Sequence, residues 1–127
     1  LDGTLLTGAP VDVEIDDQIV LSGFLRDMRY AYDARTASLT VSGRDKTIDL
    51  VDCAAAIDGA HEFYGETLLS VAKKIAAPYG IEVTAETDVG APFSRLAVQP
   101  GETAFEFIER ACRQRGVLAV SNGIGGL

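Results

Sequence analysis

The 127-residue sequence has few of the residues that active sites and disulfide frameworks require. It contains one histidine, two cysteines, one methionine and no tryptophan. One histidine and two distant cysteines lack the paired ligand spacing of a zinc site, and two cysteines are too few for a disulfide framework. No apolar run approaches the roughly 18 residues that span a bilayer. These shortages argue against a metal centre, a disulfide-rich secreted domain and a membrane-spanning segment.

The two cysteines, Cys53 and Cys112, are both predicted to be buried free thiols. Cys112 falls on the apolar face of a predicted helix, and Cys53 follows a short apolar turn. A free cysteine usually behaves as a small hydrophobic side chain. We therefore expect a reducing compartment.

The charge is strongly acidic, at −8 with a pI near 4.5. Acidic balance argues against dedicated nucleic-acid binding, which needs clustered Lys and Arg. Alternating carboxylates along a strand, here Asp12, Glu14 and Asp16, favour a solvated face. Calcium binding is the weaker alternative, because the spacing of an EF-hand loop is absent.

The only histidine, His61, lies in a predicted loop from Ala54 to Tyr64. A catalytic triad would need it beside a nucleophile and an orienting acid, and the sequence offers neither pattern. We expect no catalytic residue, no cofactor and no metal. The sequence thus predicts a protein that is not an enzyme.

The first half alternates with a period of two. Apolar and polar residues alternate from Val11 to Ile15, and a longer β-rich run extends from Ile19 to Tyr32. Asp16-Asp17 between them is a turn signal. Gly23 interrupts that run, where it suits a bulge or a bend. A third alternating run surrounds Leu39 and Val41. The pattern predicts a three-stranded antiparallel meander with one buried face.

The second half contains a short internal repeat with a 36-residue offset. Gly65-Glu66-Thr67 opens one predicted helix and Gly101-Glu102-Thr103 opens another, and a glycine ends each of them. Threonine can cap the first turn, and glycine accepts the left-handed conformation of a C-cap. The predicted apolar faces of the two helices consist of Leu68, Leu69, Ala72, Ile75, Ala76 and Tyr79 in the first and of Phe105, Ile108, Ala111 and Cys112 in the second. Each helix is followed by an apolar stretch typical of a strand, and Leu96-Ala97-Val98 is a third predicted strand, before the second helix. We expect two helix-strand units packed on one small sheet.

The fold class predicted is α+β: an antiparallel split-barrel part over residues 1–53, followed by a small α/β domain over residues 54–127. The chain lacks an initiator Met, and Asn122-Gly123 is a hairpin signal that requires a partner strand beyond Leu127. Both observations favour a piece of a longer polypeptide.

The corner Ser42-Gly43-Arg44-Asp45-Lys46 leaves two interpretations open. It is either a helix-capping turn with surface ion pairs worth under about 1 kcal/mol, or an intersubunit contact through Arg44, Asp45 and Lys46. Asp45 or Thr47 is available as the N-cap of a short helix up to Asp52.

Two long runs carry a resemblance to a known family. Residues 41–53 (VSGRDKTIDLVDC) and residues 98–111 (VQPGETAFEFIERA) resemble signatures of Mu-like phage baseplate hub proteins, also known as tail or late control D proteins. The second run is also similar to a stretch of type VI secretion spike proteins. The order of elements agrees along essentially the whole chain.

The resemblance implies a structural subunit of a contractile phage or prophage tail. It would form a trimeric ring of tube-like β-barrels that joins the tail tube to the central spike, with DNA passing through the channel without specific binding. It implies a virion location in the baseplate, assembly in the host bacterial cytoplasm and no membrane insertion. The alternatives are the base of a type VI secretion spike and a tail-associated cell-wall hydrolase.

Overall fold

A computed structural model describes residues 6–55 and 61–127 of the chain. The chain forms two compact units, Leu1–Lys46 with Gly123–Gly125 and Thr47–Asn122 with Gly126–Leu127. The mixed α+β class predicted from the sequence is confirmed. The strands and helices follow one another as β1 (Pro10–Ile15), β2 (Gln18–Tyr32), β3 (Ala37–Asp45), α1 (Ile48–Asp52), β4 (Glu62–Phe63), α2 (Leu68–Ala76), β5 (Leu96–Ala97) and α3 (Ala104–Arg115).

The first unit contains the predicted antiparallel meander, with the strand order β1-β2-β3. A two-residue turn joins β1 to β2, where Ile15 pairs with Gln18. Asp16 and Asp17 both have positive φ, at 51° and 61°. A two-residue hairpin turn with positive φ at both positions matches the twist of the flanking strands, so the Asp-Asp pair alone can connect β1 to β2.

The predicted bulge at Gly23 is wrong, because the register of β2 shifts elsewhere. The shifts lie opposite Val13/Glu14 and between Leu25 and Asp27. Gly23 itself pairs regularly with Val11 and with Asp45. A Cβ atom at this position would lie 2.0 Å from the Arg44 carbonyl oxygen. Gly23 therefore permits a close approach of β3 to β2.

The apolar face of this sheet is much more exposed than the alternation predicted. Val13 and Leu21 lie opposite each other, as do Met28 and Val41, and directly opposed residues share one face of a sheet. Val13 is 45% exposed and Val41 is 46% exposed. Leu25, which pairs with Gly43 on the same face, is only 1% exposed, so this face is buried in part.

The second unit is organised around α2 and α3, whose ends the sequence predicted correctly. Thr67 and Thr103 are the N-caps, and each side-chain oxygen accepts a hydrogen bond from the backbone N–H three residues later at 3.2 Å. A 3-10 turn, Ala77–Tyr79, extends α2 to Gly80. Gly80 and Gly116 end the two helical segments in the left-handed conformation.

The core of this unit lies between the two helices and the segments beside them. Phe107 is its largest fully buried side chain. Its ring centroid lies 6.0 Å from that of Phe63 on β4, a distance typical of a favourable aromatic pair. The buried apolar residues that surround this pair include Leu50, Val71, Ile75, Ile81, Leu96 and Ile108.

The small sheet differs from the one that the sequence predicted. It consists of β4 and β5, where Glu62 pairs with Ala97 and Phe63 with Leu96. The predicted strands after the helices are not found, because neither segment forms a ladder with another described strand. Glu82 makes a single parallel bridge to Gly126, and residues 117–120 have no strand pairing among the described residues.

The two cysteines have different environments. Cys112 is buried, as expected, and its burial raises the pKa of the thiol. Cys53 is exposed, so the prediction of a buried thiol is wrong there. Cys53 is the C-cap of α1, which consists of only five residues and buries Leu50 alone. The predicted loop 54–64 lies partly outside the described residues, since residues 56–60 are not described.

Candidate subunit interface

The corner at the end of β3 is built by strand pairing. Arg44 lies opposite Phe24 and Asp45 opposite Gly23, and the Lys46 N–H donates to the Ser22 carbonyl oxygen at 3.1 Å. All three corner residues, Arg44, Asp45 and Lys46, are half-buried. The backbone is therefore held in register to the last residue of the strand.

The capping interpretation of the corner is only partly correct. Thr47 is the N-cap residue of α1. The sequence had predicted either Asp45 or Thr47 at this position. Its side chain makes no capping hydrogen bond, and its backbone is in the helical region. A side-chain cap therefore does not fix the positions of Arg44, Asp45 and Lys46.

The three corner side chains do not form one cluster. Arg44 lines a shallow depression of about 580 Å³ on the first unit. Lys46 lies against Gly125 instead, where an added Cβ would come within 2.8 Å of the lysine Cδ. Asp45 alternates with Arg44 along β3, which places these two side chains on opposite faces of the strand.

The depression adds two arginines that the sequence reasoning missed. Arg26 and Arg29 line it together with Arg44, and Asp27 is its one acidic residue. Arg26 is the unpaired residue at the second register shift, and Arg29 Nε lies 3.1 Å from Asp27 Oδ2. A register shift turns an extra side chain toward one face, so simple alternation could not have predicted this cluster.

The second signature run contains an ion pair that joins the start of α3 to its middle. Arg110 binds Glu102 in a bidentate manner, with Nε–Oε1 2.7 Å and Nη2–Oε2 2.9 Å. Arg110 also donates to the Ala97 carbonyl oxygen at 2.7 Å, and the Gln99 N–H donates to Glu102. The Glu102 side chain is only 8% exposed. The hydrogen bond from Arg110 lowers the pKa of the Glu102 carboxyl.

The same arrangement occurs in the first copy of the internal repeat. Lys74 Nζ lies 2.6 Å from Glu66 Oε2, again eight residues after the glutamate. The hydrogen bond from Lys74 lowers the pKa of Glu66, with a further contribution from Ser70. The repeated Gly-Glu-Thr triplet therefore places a carboxylate to anchor the helix that follows it.

The part of the chain that the structure describes contains no group of three metal-ligating side chains and no helix long and apolar enough to cross a membrane. His61 is exposed, and its carbonyl oxygen accepts a hydrogen bond from the Val98 N–H at 2.9 Å.

Comparison with known proteins identifies the family. Residues 47–127 match the family model of the second domain of gp44-like baseplate hub proteins. The chain belongs to the gp44-like baseplate hub family. Residues 3–45 match the N-terminal model of Mu phage GpP-like baseplate assembly proteins. The resemblance noted in the two signature runs is thereby confirmed.

Individual relatives agree with this family. The chain is 38% identical over 126 residues to the baseplate hub protein gp44 of Escherichia phage Mu, and the match covers 97% of the chain. Its fold matches a 43 kDa tail protein of prophage MuSo2 from Shewanella oneidensis, with a TM-score of 0.85 and 40% identity over 95% of the chain. A tail protein from Neisseria meningitidis MC58 matches over 95% of the chain with a TM-score of 0.77 and 29% identity.

The chain covers only part of these relatives. It spans 33% of the phage Mu protein, and 37% and 39% of the two tail proteins of known structure.

Proposed function

We propose that this chain is part of a baseplate hub subunit, a non-enzymatic structural protein of a contractile phage or prophage tail. The observation that carries the proposal is the continuous match to baseplate families over nearly the whole chain. In the full-length protein, subunits form a trimeric ring that joins the tail tube to the central spike around a DNA channel. The protein is assembled in the host cytoplasm and resides in the virion baseplate.

The exposed sheet face supports a role in assembly. Val13, Leu39 and Val41 are each 41–46% exposed on the three-stranded sheet. Large contiguous apolar patches on soluble proteins mark surfaces that other polypeptide covers. A split-barrel piece of a larger hub has such a face, because its strands close only with further strands.

The charges of the first unit support a contact between copies. The depression holds three arginines and one aspartate within a chain whose net charge is −8. Asp12, Glu14, Asp16 and Asp17 supply an exposed acidic surface on β1 and its turn. A basic patch and an acidic patch on one subunit match a head-to-tail contact, which closes into a ring.

Arg44 is our proposed anchor of that contact; Asp45 and Lys46, whose side chains lie apart from the depression, are the other two proposed contact residues. A planar guanidinium can bind a carboxylate through two hydrogen bonds, which suits an interface better than a single charge. The two alternatives, a type VI spike base and a cell-wall hydrolase, have no observation in the described residues that favours them over the hub.

Light scattering on the full-length protein tests the proposal. We expect a mass of three subunits for the natural protein. Arg44→Glu should weaken the assembly at least about tenfold, as expected for loss of a contact worth 1.4 kcal/mol or more. Arg35→Glu makes the same charge change in an exposed turn and should leave the mass unchanged.

A strictly monomeric natural protein would contradict the ring. If Arg35→Glu and Arg44→Glu weakened assembly equally, net charge rather than the Arg44 contact would be responsible, and the anchor would be lost from the proposal. Circular dichroism on both variants checks that each remains folded.

A further inference from the structure

The depression on the first unit carries more positive charge than its own residues neutralise. Its lining contains Arg26, Arg29 and Arg44 but only one acidic residue, Asp27, so the lining residues have a net charge of +2. In a chain whose net charge is −8, this local excess favours a ligand that carries carboxylates. The volume of the depression, about 580 Å³, lies within the range of roughly 300–1,000 Å³ that is typical of binding sites.

Two of the three guanidinium groups are available to such a ligand. Arg26 is the residue without a strand partner at the register shift, and its side chain makes no hydrogen bond or ion pair with another described residue. The Arg29 side chain is 82% exposed and contacts Asp27 through its Nε, at 3.1 Å. A guanidinium has five N–H donors, so this weak surface pair leaves most of the donors of Arg29 for a second carboxylate.

The turn between β1 and β2 supplies two adjacent carboxylates. Asp16 and Asp17 are exposed, and neither side chain makes a hydrogen bond or ion pair with another described residue. Asp12 and Asp33, in contrast, are engaged within the unit. The Ser22 hydroxyl donates to Asp12 at 2.6 Å, and two backbone N–H groups donate to Asp33 at 2.8 Å. The two negative charges of the turn equal in number the excess positive charges of the depression.

The turn of one copy lies too far from the depression of the same copy to bind there. Arg26 is eight residues beyond Gln18, the residue that follows the turn, and both belong to the continuous strand β2. A strand rises about 3.3 Å per residue, so roughly 26 Å separates the turn from Arg26. Charges in solvent are largely screened beyond about 8 Å at physiological ionic strength. The turn therefore neither fills nor neutralises the depression of its own copy.

We infer that the Asp16-Asp17 turn of one copy binds in the depression of the next copy, with its two carboxylates on Arg26 and Arg29. A guanidinium can bind a carboxylate through two parallel hydrogen bonds. The contact is head-to-tail, so each copy supplies its turn to one neighbour and its depression to the other, and such contacts close into a ring. This inference rests on the proposed hub function. It names the segment that fills the depression and adds Arg26 and Arg29 to the contact.

A turn variant that removes the two carboxylates and keeps the hairpin tests the inference. Asp16→Asn with Asp17→Gly gives the sequence that two-residue turns with positive φ prefer, so the hairpin should fold at least as well as in the natural protein. In the full-length protein, the concentration at which half of the subunits are assembled should rise at least about tenfold. Sedimentation velocity over a concentration series measures this value. An unchanged value would overturn the inference.

A matched control removes the same two charges from the second unit. Glu82 and Glu86 are both exposed there. Glu82→Gln with Glu86→Gln should leave the half-assembly concentration unchanged, because neither side chain belongs to the turn or to the depression. An increase equal to that of the turn variant would assign the effect to net charge and would overturn the contact.

A second pair of substitutions establishes whether the turn and the depression contact each other. Arg26→Gln with Arg29→Gln should by itself raise the half-assembly concentration at least about tenfold. When it is combined with the turn variant, the further increase should be less than about threefold, because groups in contact lose the same interaction. A combined increase of about 100-fold would mean that the turn and the depression have different partners, and it would overturn the inference.

The outcomes separate this inference from the proposed function. A natural protein that is trimeric, with a turn variant that assembles equally well, would overturn the contact and leave the hub. A strictly monomeric natural protein would overturn the trimeric hub and the contact with it. Circular dichroism checks that the turn, depression and control variants all remain folded.

Discussion

The helical periodicity of the sequence predicts the burial of some α3 side chains correctly and of others incorrectly. The helical pattern correctly placed Ile108 and Cys112 on the buried face of α3. It assigned Phe105 to the same face, whereas Phe105 is half-buried and Phe107 is completely buried. The difference arises because Phe107 contacts Phe63, a residue from β4 that no pattern within the helix can indicate.

Phe107→Ala should therefore be far more damaging than Phe105→Ala. Truncation of a buried phenylalanine costs about 3–5 kcal/mol in the free energy of unfolding, because it loses apolar contacts and leaves a cavity. We expect less than about 2 kcal/mol for Phe105, whose ring remains partly in water. Chemical denaturation of both variants measures the two losses. Equal losses would mean that Phe105 is buried against polypeptide outside the described residues.

For the corner residues, adjacency in the sequence did not predict which side chains lie together. Arg44, Asp45 and Lys46 were predicted as one group from their adjacency, but the pleat of β3 separates them. The cluster that does form joins Arg44 to Arg26 and Arg29 from the neighbouring strand. Such a cluster depends on the strand register, and the register depends on a shift that the sequence does not indicate.

At the scale of the element, the repeated Gly-Glu-Thr triplet explains both helices. The threonine caps the first turn and the glutamate binds a cation eight residues later, at Lys74 in one copy and Arg110 in the other. The α3 copy is the more buried of the two, and there Glu106 completes a capping box with Thr103. The signature run over residues 98–111 thus contains the residues that cap and anchor α3.

The Glu102–Arg110 pair predicts part of the acid sensitivity of the fold. The pKa of Glu102 is lowered in the folded protein, so the pair's contribution is complete above the unfolded value of about 4.5 and is lost as the pH falls through the lowered folded value. Glu102→Gln should flatten that part of the stability–pH curve and lower stability at pH 7 by about 2–3 kcal/mol. Thermal unfolding between pH 3 and pH 7 measures both effects.

Glu109→Gln is the matched control for this prediction. Glu109 lies 3.6 Å from Arg113 on the exposed side of the same helix, and such surface pairs contribute under about 1 kcal/mol. An acid limb that is identical in Glu102→Gln and in the natural protein would contradict the anchoring role of Glu102.

The sequence predicted those elements whose signals are local. The Asp16-Asp17 turn, the three-stranded meander, the threonine caps and the terminal glycines of both helices all depend on short-range geometry. The strand predicted at Leu96–Val98 is confirmed as β5, but its pairing with β4 was missed, because β4 has only two residues and lies in a predicted loop. The strands predicted after α2 and α3 are absent from the described residues, because strand pairing is set by tertiary contacts rather than by propensity.

For the whole molecule, the two compact units correspond in sequence to two different baseplate family models. One model covers residues 3–45 and the other residues 47–127. The proposed domain boundary after residue 53 remains a prediction, whereas the compact units divide between Lys46 and Thr47. The acidic charge of −8 is compatible with a channel wall that does not retain DNA, which we propose for the assembled hub.

The central claim is that this chain is a structural part of a tail baseplate. Electron microscopy of purified tail particles, with gold-labelled antibodies raised against the 127 residues, tests it most directly. We predict labelling, after mild disruption of the baseplate, at the junction of the tail tube and the spike. Tails that assemble normally and contain none of this polypeptide would contradict the account.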